Sequence, residues 1–200
     1  FTETLEQLQE GLKYVFGCKN PVAVMASSGT GAMEAAVTNL FSKGDKVICV
    51  SIGNFGDRFI QLSEMFGLEA ITIQYEWGEV AKTADIEAAI QAHPDVKGVL
   101  ITQNETSTGV SNDVKAVAEL TKNTEILLVV DAISALGGIE MRMDEWGIDC
   151  VVAGSQKGLM ASPGLGFAAL SDKAWAACEK CTQPRFYFDL RQYRKGIEGL

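Results

Sequence analysis

The chain has 200 residues, enough for one α/β domain that buries roughly 70% of its unfolded surface. A net charge of -9 and the lack of any basic run argue against a nucleic-acid partner. No stretch approaches the roughly 20 apolar residues needed to span a bilayer and no signal-peptide pattern is read, so no membrane partner is expected.

Leu5, Leu8, Leu12, Val15 and Phe16 recur at helical spacing and predict an amphipathic helix over 3–16, ending near Gly17. A short apolar strand over 22–25 runs into Ala26-Ser-Ser-Gly-Thr-Gly31, then a helix over 32–41. The continuous apolar run 46–50 predicts a strand covered on both faces, followed by a loop over 51–56 and a helix over 57–66. Next come a strand over 70–74, a helix over 83–92 with Thr83 as its N-cap, and a strand over 98–101. A loop over 103–109 and a helix over 113–121 follow.

The strand over 126–130 is the most apolar and ends in Asp131. Two more strands, 150–153 and 166–170, are expected side by side around an excursion rich in glycine. Cys178-Glu-Lys-Cys181 has the spacing of a metal or redox pair, but it lies in an amphipathic helical stretch without a second pair. The five cysteines, an odd number set mostly in apolar surroundings, read as reduced thiols of a cytoplasmic protein. His93 is the lone histidine, too few for a His-rich metal site and poorly placed for a Ser-His-Asp triad, so no metal is expected. Both ends read as running inside helices, which predicts a domain cut from a longer chain. Repeated strand–loop–helix units mean a largely parallel sheet with helices on both faces, a three-layer α/β/α fold.

In such a sheet, ligands bind beyond the carboxyl ends of the strands. Four features fall there. Ser28-Gly-Thr-Gly31 opens a helix and offers N–H groups and hydroxyls to an anion, without the Gly-Lys-Ser/Thr of a Walker loop. Phe55, between Asn54 and Gly56, offers a flat face. Asp131 ends a very apolar strand, where a carboxylate needs a cation or donors. Lys157 follows the apolar run 150–153 and the small Gly154-Ser155-Gln156; desolvation at a buried strand end would suit it to act as a nucleophile or Schiff-base amine. Each has a plainer reading alone: a capped turn, a core aromatic, a helix-cap aspartate, a lysine reaching solvent. Together they match one ligand with a phosphate, a flat ring, a basic ring nitrogen and an aldehyde, which is pyridoxal 5′-phosphate (PLP).

Five pieces then fall in order along the chain: Ser28-Gly-Thr-Gly-Ala-Met-Glu34, Gly53-Asn-Phe-Gly-Asp-Arg58, Asn104-Glu-Thr-Ser-Thr-Gly-Val110, Asp131-Ala-Ile-Ser-Ala-Leu-Gly-Gly138 and Gly154-Ser-Gln-Lys-Gly158. They resemble the class V aminotransferases, nearest the alanine–glyoxylate / serine–pyruvate branch. The resemblance implies the large domain of a fold-type-I PLP enzyme, with one antiparallel strand that the element pattern does not supply. It also implies a homodimer with its active site at the subunit interface. The substrates implied are a small amino acid, alanine or serine, and a 2-oxo acid such as glyoxylate or pyruvate.

By position, the resemblance makes Lys157 the Schiff-base lysine and proton shuttle, and Asp131 the partner of the pyridine nitrogen. Phe55 would stack on the ring where the branch often has tryptophan, Ile133 would pack on the opposite face, and Thr106 would meet the ring hydroxyl. Ser28, Gly29, Thr30 and Gln156 would hold the phosphate. Residues 1–200 would be the PLP-binding large domain. An N-terminal segment and a C-terminal small domain, with the arginine for the substrate carboxylate, would lie outside this chain.

Other readings compete. Cysteine desulfurases typically carry histidine where Gln156 stands, and phosphonate aminotransferases tend to carry asparagine. A non-catalytic relative would be expected to lose Lys157 or Asp131, and both are present.

Overall fold

The computed structural model describes residues 2–199. Helix α1 (Thr2–Phe16) leads into strand β1 (Val22–Ala26), α2 (Gly29–Leu40), β2 (Lys46–Ser51), α3 (Asn54–Met65) and β3 (Glu69–Gln74). Then follow α4 (Thr83–Ala92), β4 (Gly98–Thr102), the two-residue strands β5 (Asn104–Glu105) and β6 (Val110–Ser111), α5 (Val114–Thr121) and β7 (Leu127–Asp131). The last elements are α6 (Met143–Trp146), β8 (Cys150–Gly154), β9 (Leu165–Leu170), α7 (Asp172–Lys180) and α8 (Leu190–Glu198).

Seven strands form one sheet in the order β1-β9-β8-β7-β4-β2-β3. The pairs β2–β3, β2–β4, β4–β7 and β7–β8 are parallel, while β9 runs antiparallel to both β8 and β1. β9 is the antiparallel strand that the resemblance implied. Only residues 155–164 join β8 to β9, with no helix among them to carry the chain back across the sheet, so the chain simply reverses.

The interior strands β4, β7 and β8 are buried at every position, which is why their sequences are continuously apolar. Alternate residues feed two cores. Ile48, Val50, Leu128, Val130 and Val151 face a core closed by Phe16 of α1, Ile86 of α4, Val117 of α5 and Trp146 of α6. Val47, Cys49, Val129 and Val152 face a second core closed by Met33 and Val37 of α2, Phe59 of α3, Trp175 of α7 and Leu190 of α8. Each fully buried aliphatic side chain contributes about 2 kcal/mol, so the two faces together dominate the folding free energy. Among the described residues no helix is long and apolar enough to cross a membrane.

Several boundaries differ from the sequence expectation, and two matter for the site. Helices α2 and α3 begin at Gly29 and Asn54, so the stretches expected as loops are instead first turns of helices. The stretch expected as the loop 103–109 contains the start of the small β5–β6 hairpin. Thr83 is the first residue of α4 and not its cap; Lys82 stands at the N-cap position without a side-chain bond. All five cysteines are free thiols, with Cys178 buried in α7 and Cys181 at its C-cap.

Candidate active site

The parallel strands all present their carboxyl ends to one edge, and the turns that leave this edge carry the candidate residues. At the end of β1, Ser28 caps α2, its side chain accepting from the Gly31 N–H at 3.5 Å. The geometry of a helix start leaves the Gly29 and Thr30 N–H groups without intrahelical partners. Glycine is required at 29 for space: a Cβ there would lie 2.6 Å from Ile133 Cδ1. Ser28 and Thr30 are exposed, so the open end of the helix faces outward with two hydroxyls beside it.

The motif after β2 is explained residue by residue. A Cβ at Gly56 would lie 2.5 Å from Ser51 Cα, and Asp57 Oδ1 accepts from Ser51 Oγ at 2.7 Å, so α3 starts hard against the strand end. This sets Phe55, half-buried, in the helix's first turn. One turn on, the Arg58 guanidinium carbon lies 4.6 Å from the Phe55 ring centroid, and Nη1 donates to Thr30 Oγ1 at 2.8 Å. Arg58 therefore links the aromatic to the anion-facing turn and adds positive charge to it.

Asp131 ends β7 and is 2% exposed. Its Oδ1 accepts from the Ile133 N–H at 2.8 Å, and among the described residues no other hydrogen bond reaches the carboxyl. Burial, opposed by that N–H, pushes the group from 3.8 up to about 7, with the Glu105 charge adding to the rise and Arg58 reducing it. Thr102, its neighbour in β4, also lowers the value slightly; its buried hydroxyl makes no hydrogen bond of sound geometry, so the Ile133 N–H is the donor that counts. Ile133 is 8% exposed and bridges the space between Asp131 and the Gly29 turn.

Lys157 lies on the turn after β8. Ser155, 1% exposed, pins both ends of the excursion: its Oγ donates to Ser162 O at 2.7 Å and accepts from the Leu165 N–H at 3.3 Å. The Ser27 N–H donates to Gly164 O at 2.8 Å, tying the excursion to the turn after β1. Gly137 and Gly158 hold it against the loop after β7. A Cβ at Gly137, where φ is +89°, would lie 2.7 Å from Gly158 O, and one at Gly158 would strike Leu136 O. Gln156 is exposed, and its Oε1 lies 3.4 Å from where a Gly154 Cβ would stand, a point itself 3.5 Å from Gly29 N.

One expectation is corrected here. Lys157 is exposed, not desolvated at a strand end, because the strand stops at Gly154 and the turn carries the side chain outward. Among the described residues Lys157 makes no ion pair or side-chain hydrogen bond. The structure thus joins Ser28, Gly29, Thr30, Ile133 and Gln156 around one turn, and Phe55 to Thr30 through Arg58. It places Asp131 beneath Ile133. Thr106 sits exposed next to Glu105 and its side chain makes no hydrogen bond to the others. Sequence reasoning assigned no role to Arg58 and Glu105, although both stand inside the quoted motifs; a charged residue one turn after Phe55 and another closing β5 were the available signals.

The residues fit a PLP-sized group on the structure's own terms. The open α2 end and Arg58 suit a phosphate, and a buried carboxyl with one donor suits a cationic nitrogen. The lysine has no partner among the described residues.

Comparison with known proteins agrees. The family model for aminotransferase class V matches residues 1–184. A protein of Synechococcus sp. named soluble hydrogenase, small subunit, is 41% identical over 98% of this chain and 52% of its own length. The serine–glyoxylate aminotransferase of Hyphomicrobium methylovorum is 44% identical over 84% of this chain and 42% of its own. The crystal structure of an alanine–glyoxylate aminotransferase from Nostoc sp. superposes with a TM-score of 0.93 at 31% identity, covering 98% of this chain and 53% of that one. The chain spans about half the length of the curated relatives it matches. With the matched family model covering most of the chain, this protein belongs to the class V aminotransferases.

Proposed function

We propose that this chain is the PLP-binding large domain of a transaminase that moves an amino group from a small amino acid, alanine or serine, to a 2-oxo acid such as glyoxylate or pyruvate. The observation that carries the reading is Asp131: a buried carboxyl with a single donor and a raised pKa, on the same sheet edge as an open helix end and a lysine with no partner among the described residues. The Synechococcus relative is named for a different activity; the combination of buried acid and available amine is what favours amino transfer here.

In this reading Ser28, Gly29, Thr30 and Gln156 hold the phosphate, Phe55 and Ile133 cover the two ring faces, and Thr106 meets the ring hydroxyl. PLP when bound supplies an electron sink next to the substrate's α-carbon. Asp131 keeps the ring nitrogen protonated by ion pairing, each 1.36 kcal/mol of surviving attraction being worth about one pKa unit. Lys157 would hold the cofactor between turnovers, and its Nζ would take the substrate α-proton and deliver it to the cofactor's C4′ carbon, not back to the α-carbon. Ile133 and Phe55 exclude water from the space above Asp131. A second copy of the chain would complete the site as a homodimer.

The direct test supplies the full-length protein and PLP with glyoxylate and, separately, L-alanine, L-serine and L-aspartate, and measures glycine formed. Glycine from alanine or serine is expected. No glycine from any donor, together with no alanine from pyruvate and L-serine, would refute the proposed transfer, and glycine from aspartate alone would refute the donor class.

A further inference from the structure

Glu105 is fully buried and receives four donors. Its Oε2 accepts from the N–H groups of Phe55 at 3.0 Å and Gly56 at 3.1 Å. Its Oε1 accepts from Ser107 N at 3.1 Å and Ser107 Oγ at 2.7 Å. Ser107 Oγ in turn accepts from the Asn54 N–H at 3.2 Å. Three first-turn N–H groups of α3 therefore end on the last residue of β5 and the loop that follows it.

This arrangement differs from the four helix starts that carry a side-chain cap of their own. Ser28, Asp113, Ser171 and Asp189 each cap their own helix from the adjoining N-cap position, whereas the N-cap of α3 is Gly53, which has no side chain to offer. Gly53 instead makes room: a Cβ there would lie 2.6 Å from both Glu105 Cγ and Ser107 Oγ. The cap is supplied from a strand end 50 residues away in sequence. A carboxylate in this position is favoured by the helix dipole and by charge-assisted hydrogen bonds.

The result is mechanical coupling of two loops, one carrying Phe55 and the other carrying Thr106. We propose that Glu105 is a positioning residue that fixes the ring of Phe55 relative to Thr106, so that face and hydroxyl are presented to one planar cofactor ring. The inference rests on the PLP reading and extends it to a residue outside the cofactor's reach.

A charge effect accompanies the geometry. Glu105 lies close enough to Asp131 to raise its proton affinity; Arg58 of α3, Thr102 of β4 and the Ile133 N–H act in the opposite direction. Replacing Glu105 by glutamine keeps its shape but removes the charge. It also turns an amide NH2 toward N–H groups that need an acceptor. The Asp131 titration therefore reports the charge alone, and the dichroism of bound PLP reports the positioning of Phe55, which a tie serving packing alone would leave unchanged.

The test uses full-length protein carrying Glu105→Gln, Glu105→Asp or Ser107→Ala. PLP affinity, the induced circular dichroism of bound PLP and the Asp131 titration by carboxyl carbon NMR in cofactor-free protein are measured. E105Q is expected to weaken PLP binding by about tenfold or more, to diminish the induced dichroism and to move the Asp131 midpoint downward. E105D, with charge retained at shorter reach, should restore the midpoint but not the dichroism.

Should E105Q fail to fold, S107A decides. It removes the Oγ donor to Glu105 and the acceptor for Asn54, and should reduce the dichroism with the Asp131 midpoint unchanged. A folded E105Q or S107A with wild-type affinity and dichroism overturns the proposal while leaving the PLP reading intact. A wild type that gives no PLP signal overturns both.

Discussion

Asp131→Asn should stabilise the cofactor-free protein at pH 8 while crippling it as an enzyme. In the fold burial with a single donor pushes the carboxyl from its ordinary 3.8 up to about 7. A group whose folded pKa is raised contributes its full stability below the unfolded value and loses it as pH climbs through the folded one. The loss therefore runs from pH 3.8 toward about 7 and amounts to about 4 kcal/mol if the whole shift is expressed. Asparagine keeps an acceptor for the Ile133 N–H and has no such titration, so up to that amount should return at pH 8. A unit cation in ion-pair contact with the carboxylate offsets a similar quantity, about 4 kcal/mol at ~4 Å and an effective dielectric near ~20. The site is thus unfavourable until a cation fills it.

The assay is urea denaturation of wild type and variant at pH 5 and pH 8 without PLP, followed by turnover with PLP. The difference between the two proteins isolates this carboxyl from every other titrating group. Wild-type stability should fall relative to the variant as pH rises, and the variant's turnover should collapse. Parallel pH dependences, or near-wild-type turnover of the variant, would refute the reasoning.

Two further substitutions separate the site from the scaffold. Gly158→Ala places a Cβ against the Leu136 carbonyl, and a backbone atom cannot swing aside, so the lysine turn must shift. A stability cost of about 1–3 kcal/mol is expected by thermal denaturation, with PLP attachment lost along with it. Lys173→Met removes the cation paired with Asp149 Oδ2 at 2.9 Å and donating to Ile126 O at 2.9 Å. Asp149 is left 3% exposed without its counter-ion, so urea denaturation should show a loss of about 3–5 kcal/mol while PLP affinity in the surviving folded protein stays unchanged.

The layers of this fold could be read from hydrophobic pattern because β4, β7 and β8 are covered on both faces and leave continuous apolar runs. Strand direction could not be read that way, since an apolar run looks the same in either sense. The signal for β9 lay in its connection, too short and helix-free for a parallel crossover. Helix starts were misjudged at Gly29 and Asn54 for another reason. Gly29 and Gly56 lower helix propensity in these first turns, yet close contact with Ile133 and Ser51 calls for them, as Glu105 does for Gly53 at the N-cap of α3, and only tertiary structure supplies those contacts.

The same holds for the site residues. Asp131 was legible as a charge closing an apolar strand. Lys157 was placed on the right turn but in the wrong environment, because the sequence does not say where β8 ends relative to the surface. Arg58 and Glu105 stand in visible motifs, but they act on partners 28 and 50 residues away, so the motifs mark the residues without saying what they touch.

Whether Lys157 carries the cofactor can be read by chemical trapping. Full-length protein loaded with PLP is reduced with borohydride, which makes a lysine-linked cofactor permanent, then digested and mapped by mass spectrometry beside Lys157→Ala. A phosphopyridoxyl adduct is expected on the peptide containing Lys157 and none in the variant. An adduct on another lysine, such as Lys173 or Lys19, or a wild type that takes up no PLP, would contradict it.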